Sequence, residues 1–403
     1  MAATYSGFLT LFLLVFVLLP PLRMTAIGKA LGGLPRSFRL HHVVGVSLPV
    51  VGGVHAALAM FPYLAAAESF PEAVGFFFDF SDTQVVSGTL SWLLLTFTVV
   101  ASFWTKLHRT PWLWLHRVSV LGFLFALVHF FLGPMEAFSS PSGWADVGRL
   151  AGAALSITAL VGVLLHFARP EILANHRKFV VTGIERVGGN VVELTLELGK
   201  GRGTWHGGDF GYFRFDCRGE CGVSRERHPF TIVDMIHDTT MKIVVKAVGA
   251  DTAGIQHILF GTTGEVSGPY GTLSDLLSQR SAQLWIAGGL GMMPFLGLAR
   301  RLGDRSAEAA DVALIVLHRP GQEPPRLSEL QELAARRPGL KIMAFESVQN
   351  ATVGIEAVAV AVPDWKQRTI ALAGPHAMID DWTRTLRSRG IPQSNIHTED
   401  FTK

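Results

Sequence analysis

The sequence predicts a multidomain membrane protein: an all-α bundle of transmembrane helices, then an antiparallel β-barrel, then a Rossmann-like α/β domain. Three observations predict it. Apolar residues make up 49% of the 403 positions, and the excess is concentrated in the first 170 residues. From Lys178 to about Leu277 the pattern changes to short β-type runs such as Val191–Leu198 and Met241–Val248, broken by glycines. From Ala282 onward strands alternate with helices, the pattern of a parallel sheet covered on both faces. The divisions fall at residues 1–172, 173–280 and 281–403.

Five apolar segments suit membrane spans: 7–22, 38–61, 84–104, 112–133 and 147–168. The first lacks a basic n-region and a small-residue cleavage site, so it is expected to be a retained helix rather than a signal peptide. The net charge of +3 is uninformative; its distribution is not. Arg23, Lys29, Arg36 and Arg39 lie between the first two spans, Lys106 and Arg109 between the third and fourth, and Arg169, Arg177 and Lys178 after the fifth. The other two loops carry Glu68, Glu72, Asp79 and Asp82, then Glu136 and Asp146. The positive-inside rule then sets the N-terminus outside a multi-pass cell-membrane protein, with everything after Arg169 cytoplasmic. The apolar run Val74–Phe80 is too short to span and is read as interfacial.

Two of the spans each carry two histidines, His41 and His55 on one, His116 and His129 on the other. Bilayer interiors disfavour ionisable side chains, so such residues point to function. At about 1.5 Å per residue, spacings of 14 and 13 put the imidazoles roughly 20 Å apart along each axis. At roughly 100° per residue, His55 returns to within about 40° of His41, whereas His129 lies about 140° from His116. Both helices run inside to outside by charge, so His41 pairs with His116 and His55 with His129, as axial ligands of two stacked b-type haems. The bundle is thus expected to be haem-binding. His42 competes with His41, since it lies 13 residues before His55. Phe123 and Phe125, between the two levels, are read as helix packing.

The two cysteines, Cys217 and Cys221, are too few for a disulfide scaffold and lack the second pair of a zinc site. They are expected to be an incidental cytosolic pair. Strands are predicted at Gln283–Ala287, Ala313–Leu317, Lys341–Phe345 and Thr369–Ala373, with helices from about Pro294, near Leu327–Arg336 and from about Ala377. Gly288, Gly289 and Gly291 follow the first of these strands, and Pro294 and Phe295 open the next helix. Glycines there admit a pyrophosphate to the backbone, and the helix N-terminus favours its charge. The same run is also compatible with a simple tight turn. Arg319, just after a later strand, suits a ribose 2′-phosphate and hence NADPH over NADH, or is an exposed surface arginine. His228-Pro229-Phe230-Thr231 sets an imidazole, a ring and a hydroxyl in succession at a strand entry, while Gly268-Pro269-Tyr270-Gly271 reads as a turn.

Taken together, these residues resemble the bacterial NADPH oxidase and ferric reductase superfamily over nearly the whole chain. In the membrane part the resemblance rests on Arg36 before His41, on the 14 and 13 spacings, and on Leu115-His116-Arg117 leading to Val128-His129. It selects His41 over His42. In the soluble part His-Pro-Phe-Thr is similar to a flavin motif, which implies that His228, Pro229, Phe230 and Thr231 contact FAD. Val248–Thr252, after Lys246, falls where the family contacts the flavin pyrophosphate, implicating Lys246, Gly249 and Thr252. Gly268 to Gly271 and the Gly288–Phe295 run resemble the signatures leading into the NADPH site. Ala373-Gly374-Pro375 matches a Cys-Gly-Pro motif except for its cysteine. Glu399-Asp400-Phe401 resembles a terminal Glu-x-Phe whose ring covers the flavin. Thr231, Gly374 and Phe401 are the implied residues at the hydride-transfer centre.

The expected activity passes electrons from cytoplasmic NADPH, via FAD and two haems, to an acceptor outside. Oxygen, giving superoxide, is the first choice, because no calcium-binding or other regulatory segment is present. Ferric chelates, copper(II) or a periplasmic partner protein are the alternatives, and NADH is a possible donor. Membrane lipid is an expected partner; nucleic acid and an obligatory protein partner are not.

Overall fold

The structure is a computed structural model that describes residues 2–22, 30–31, 34–75, 81–103, 109–133, 144–168, 175–217, 221–279, 281–302, 311–346 and 354–400. Most of the interfacial run Val74–Phe80, the basic residues Arg23, Lys29, Lys106 and Arg169, and Phe401 lie outside them. The chain forms two compact units, one from the membrane segments (Met1–Gly28 and Arg36–Leu173) and one essentially from Ala174–Lys403.

The first unit is helical. Its elements are α1 (Ala2–Leu18), α2 (Leu34–Ala66), a short α3 (Phe70–Gly75), α4 (Thr83–Ser102), α5 (Arg109–His116), α6 (Val118–Leu132) and α7 (Trp144–Ala168). Four stretches, Ala2–Leu22, Arg36–Ala66, Thr83–Ser102 and Trp114–Leu132, are long and apolar enough to cross a membrane. A fifth, over the predicted span 147–168, is helical, with a shorter apolar core at Leu150–Leu164. Leu11, Leu14, Val15, Leu48, Phe123, Leu127 and Ala159 form the buried core of this unit. Phe123 is fully buried, as packing requires. Many large apolar side chains, Val43, Val50, Phe97 and Ile157 among them, face outward, as a lipid-facing surface would have them.

One feature departs from the expected single helix over 112–133. The helix is interrupted at Arg117, where Val120 N–H bonds to the Arg117 carbonyl at 3.0 Å in an i→i+3 turn. Each residue of such a tightened turn adds about 20° of rotation over an α-helical one. That turns His129 back toward the face of His116. One such turn recovers roughly 60° of the offset, and it falls next to the histidine.

In the second unit, β1 (His176–Gly188), β2 (Val191–Leu198), β3 (Phe210–Phe215), β4 (His228–Ile236), β5 (Thr240–Lys246) and β6 (Thr263–Tyr270) close an antiparallel barrel in the order β1-β2-β5-β4-β3-β6. Alternate residues point inward, so Val192, Leu194 and Leu196 of β2 join Phe179, Phe213, Ile232, Ile243 and Val266 in a dry core. A short α8 (Ala250–Ile255) follows β5.

Beyond the barrel, β7 (Gln283–Gly288), β8 (Val312–His318), β9 (Leu340–Glu346), β10 (Thr369–Gly374) and β11 (Ile396–Asp400) form a parallel sheet in the order β11-β10-β7-β8-β9. Helices α9 (Met292–Leu302), α10 (Leu327–Ala335), α11 (Ile355–Ala361) and α12 (His376–Ser388) cover it. The central strands are buried along their whole length, which is why they read as unbroken apolar runs.

The cysteines need a correction. Cys217 and Cys221 are joined in a disulfide rather than standing as an incidental thiol pair. Their Cα atoms, four residues apart in sequence, lie 5.7 Å from each other.

Candidate functional site

In the membrane unit the four predicted histidines stand in two pairs. The His41 and His116 rings are 5.9 Å apart, centre to centre, and the His55 and His129 rings 6.0 Å. Each Nδ1 is engaged. His41 Nδ1 donates to the Val17 carbonyl at 2.7 Å, His55 to the Ala3 carbonyl at 3.1 Å, and His129 to the Gln84 carbonyl at 2.9 Å. His116 Nδ1 meets the Ser102 hydroxyl at 3.4 Å. A carbonyl only accepts, so the ring proton sits on Nδ1 and the lone pair on Nε2.

Helices α1 and α4 thus act as walls that orient the histidines of α2 and of α5–α6. Ala3 and Val17 are 14 residues apart on α1, close to four turns; Gln84 and Ser102 are 18 apart on α4, five turns. Each wall presents two acceptors on one face. Val17 is in the last turn of α1, where carbonyls lack a helical partner. Glycine makes the room: a Cβ on Gly88 would lie 2.7 Å from His129 Nδ1, and one on Gly7 3.0 Å from His55 Cε1. Trp112 stacks on His116 at 5.0 Å and 14°.

The ring separations suit a metal ion between each pair. An imidazole nitrogen about 2.0 Å from the metal on each side sets the ring centres roughly 6.3 Å apart. Among the described residues no group of three or more His, Cys, Asp or Glu is placed to hold a metal. Each pair therefore offers two ligands, which is what axial ligation of haem iron needs.

In the second unit the predicted flavin and nucleotide residues converge. Thr231 pairs with Phe210 across β3 and β4, and Phe210 pairs with Tyr270 of β6. Gly271, just beyond, has φ +111°, and a Cβ there would meet Glu399 Oε1 at 2.9 Å and Phe210 at 3.5 Å. Glu399 pairs with Ala373 in the sheet, and Ala373 with Ala287. At the next positions a Cβ on Gly291 would lie 2.1 Å from the Ala373 carbonyl, and one on Gly288 3.1 Å from Pro375. Gly374, at φ +155°, would bring its Cβ to 3.1 Å from Gly288 N. The barrel's Thr231, the Gly268–Gly271 turn, the Gly288–Gly291 turn and Gly374–Pro375 are therefore linked as neighbours in the fold.

The remaining residues have distinct places. His228 Nε2 lies 3.5 Å from Asp251, whose carboxylate also accepts from Ser224 N at 2.6 Å and Ser224 Oγ at 3.0 Å. That ties the His-Pro-Phe-Thr strand to the first turn of α8, with Gly249 as its N-cap. The Thr252 hydroxyl accepts from Val248 N and Gly249 N, each at 2.9 Å, and so braces its own loop. Phe230 packs on Phe213 at 5.8 Å, and Lys246 ends β5. Arg319 is exposed at the C-terminal edge of β8, the edge that carries Gly288. Pro294 and Phe295 open α9 with their side chains buried, and Phe295 stacks on Trp285 at 5.1 Å. Their side chains belong to the core under the helix.

Glu399 and Asp209 were not among the predicted contacts. Glu399 is 3% exposed, and neither carboxylate oxygen has a hydrogen-bond partner. Burial first, and the charge of Asp209 second, hold its carboxyl well above the usual carboxylate range. Asp209 is buried too and accepts from His206 N at 3.0 Å. An acid flanked by threonine and aspartate near a chain end offers no periodic signal; only its place in the Glu-Asp-Phe run drew notice.

The sequence comparisons agree with this division. Residues 6–127 match the family model for the ferric reductase like transmembrane component, and residues 176–274 match an FAD-binding domain. NADH-cytochrome b5 reductase 1 of Dictyostelium discoideum is 24% identical over 169 residues, 40% of this chain and 58% of that protein. The reductase component of propane 2-monooxygenase from Rhodococcus jostii (strain RHA1) is 25% identical over 176 residues, 40% of this chain and 46% of that protein. The chain thus spans about half the length of these relatives. A flavohemoglobin from Malassezia yamatoensis shares the fold at 18% identity and a TM-score of 0.50, over 89% of this chain and 97% of that one. A ferric-reductase-like transmembrane part followed by an FAD-binding domain gives this chain the domain architecture of the NADPH oxidase and ferric reductase superfamily.

Proposed function

We propose that the protein is a transmembrane oxidoreductase that draws electrons from cytoplasmic NADPH and delivers them, via FAD and two b-type haems, to oxygen outside the membrane as superoxide. The observation that carries this reading is the pair of imidazole pairs, each about 6 Å across and each with Nδ1 occupied. His41 and His116 would hold one haem, His55 and His129 the other. His228, Thr231 and the Gly249 turn would hold FAD, and the Gly288–Gly291 turn with Gly374 and Pro375 the nicotinamide dinucleotide, with Arg319 at the edge suited to a 2′-phosphate. When bound, these groups supply the conversion of a hydride donor's electron pair into single electrons carried across the apolar layer.

The chain's own residues do the rest. Glycines at 271, 288, 291 and 374 bring four backbone segments close together. Glu399, buried beside the Gly271 turn, has its carboxyl held well above the usual carboxylate range by that burial. Loop charge supports the sidedness: the basic loops are those on the side of the second unit, which the positive-inside rule makes cytoplasmic. Membrane lipid is the surrounding partner.

The test is NADPH-driven reduction of cytochrome c by the purified, FAD-supplemented protein, with and without superoxide dismutase. Dismutase is expected to abolish the signal. A robust signal that resists dismutase would mean direct reduction of the acceptor, and ferric chelates, copper(II) or a partner protein would replace oxygen.

A further inference from the structure

The four histidines are not held alike. Three have Nδ1 on main-chain carbonyls, which no substitution can remove. His55 Nδ1 also meets the Ser6 hydroxyl, at 3.2 Å, beside its carbonyl; His116 is oriented through side chains, with Ser102 at its Nδ1 and Trp112 stacked on its ring. Ser102 is the last residue of α4, and its hydroxyl hydrogen is committed, donating to the Thr98 carbonyl at 2.8 Å. Its oxygen is therefore the acceptor for the His116 Nδ1–H. Thr98 in turn donates to the Leu94 carbonyl at 2.9 Å. Both hydroxyls thus bond back to the carbonyl four residues earlier on α4, and the Ser102 oxygen faces the imidazole.

An acceptor on the distal nitrogen raises the basicity of a metal-bound imidazole, and a more basic ligand favours the oxidised metal. At 3.4 Å the Ser102 contact is the longest of the four. We infer that Ser102 is a positioning residue that sets the ligand strength of His116, and with it makes the redox potential of the His41–His116 haem separately adjustable from that of the His55–His129 haem. The inference rests on the haem-binding reading above. It gives that reading an asymmetry: the His116 side is adjustable through the Ser102 hydroxyl, whereas His55 and His129 both keep a main-chain carbonyl on Nδ1, with Ser6 beside the first.

The experiment is spectroelectrochemistry of the purified full-length protein, with haem content measured on the same samples. Wild type is expected to show two b-type components. Ser102→Ala should shift one midpoint potential to higher values and leave the other in place, with both haems retained. Ser102→Thr, which keeps a hydroxyl, should return the wild-type value. Should Ser102→Ala lose a haem, Ser102→Cys offers a weaker acceptor at the same atom, and the potential should then lie above wild type. Two unmoved potentials, a shift of both together, or an equal shift in the Thr variant would overturn the role of Ser102 while leaving the haem assignment standing. A wild-type protein with no b-type spectrum would overturn the haem reading itself.

Discussion

The membrane unit and the second unit both use glycine to build a site, but for opposite ends. In the membrane, Gly7 and Gly88 make space for a side chain: the imidazoles of His55 and His129 lie against a helix where any Cβ would meet them. In the second unit, Gly288, Gly291 and Gly374 let backbone meet backbone. Polar groups differ in the same way. Three of the histidines are satisfied by helix carbonyls and His116 by a hydroxyl, whereas the Glu399 carboxylate has no hydrogen-bond partner among the described residues and burial holds its carboxyl well above the usual range. A lipid-embedded site has to satisfy its polar atoms from within; a site that receives a ligand can hold one in reserve.

The largest effect expected from this contrast is at the histidine pairs. His129→Ala should remove one haem and about half of the b-type absorbance, abolishing transfer to an external acceptor while FAD-dependent dye reduction by the second unit persists. Gly88→Ala should produce a weaker version of the same loss, because its Cβ would lie 2.7 Å from His129 Nδ1. If Gly88→Ala binds haem normally, the glycine is not a seat for the ring and the comparison fails on the membrane side.

On the other side, Gly291→Ala should cost stability, by about 1–3 kcal/mol or more, because its Cβ would lie 2.1 Å from a main-chain carbonyl that has no rotamer to escape with. Gly289→Ala meets nothing within 4 Å and carries only the strain of φ +54°, about 1 kcal/mol. Thermal unfolding of both variants separates close packing from backbone conformation. Equal losses would remove the distinction.

The smallest effect concerns Glu399. Its folded carboxyl titrates well above the ordinary value of about 4.3 found once the chain unfolds. The native state then binds the extra proton, so the stability Glu399 contributes is full below that ordinary value and is lost as pH rises through the folded one. Glu399→Gln keeps the shape without the titration, so its unfolding temperature should fall less between about pH 5 and pH 8 than that of wild type. Parallel curves would mean that the acid is ionised in the fold.

What the sequence discloses follows from the kind of physics involved. The histidine pairs, the barrel and the alternating strands are legible because they depend on local periodicity and on the cost of polar groups in lipid. Two things were not. The break at Arg117 depends on where α5–α6 must deliver two rings, which no window of residues states. The burial of Pro294 and Phe295, and the buried acid at Glu399, arise from contacts between segments about one hundred residues or more apart in the chain. The disulfide was misjudged because composition counts cysteines without seeing that these two lie within bonding reach.

Helix α1 gains a role in biogenesis from the two carbonyls it lends. It is synthesised before either histidine helix, so Ala3 and Val17 wait in the bilayer as acceptors until α2 arrives with His55 and His41. Without this first segment, both His41 and His55 would lose the carbonyls that hold their Nδ1 atoms.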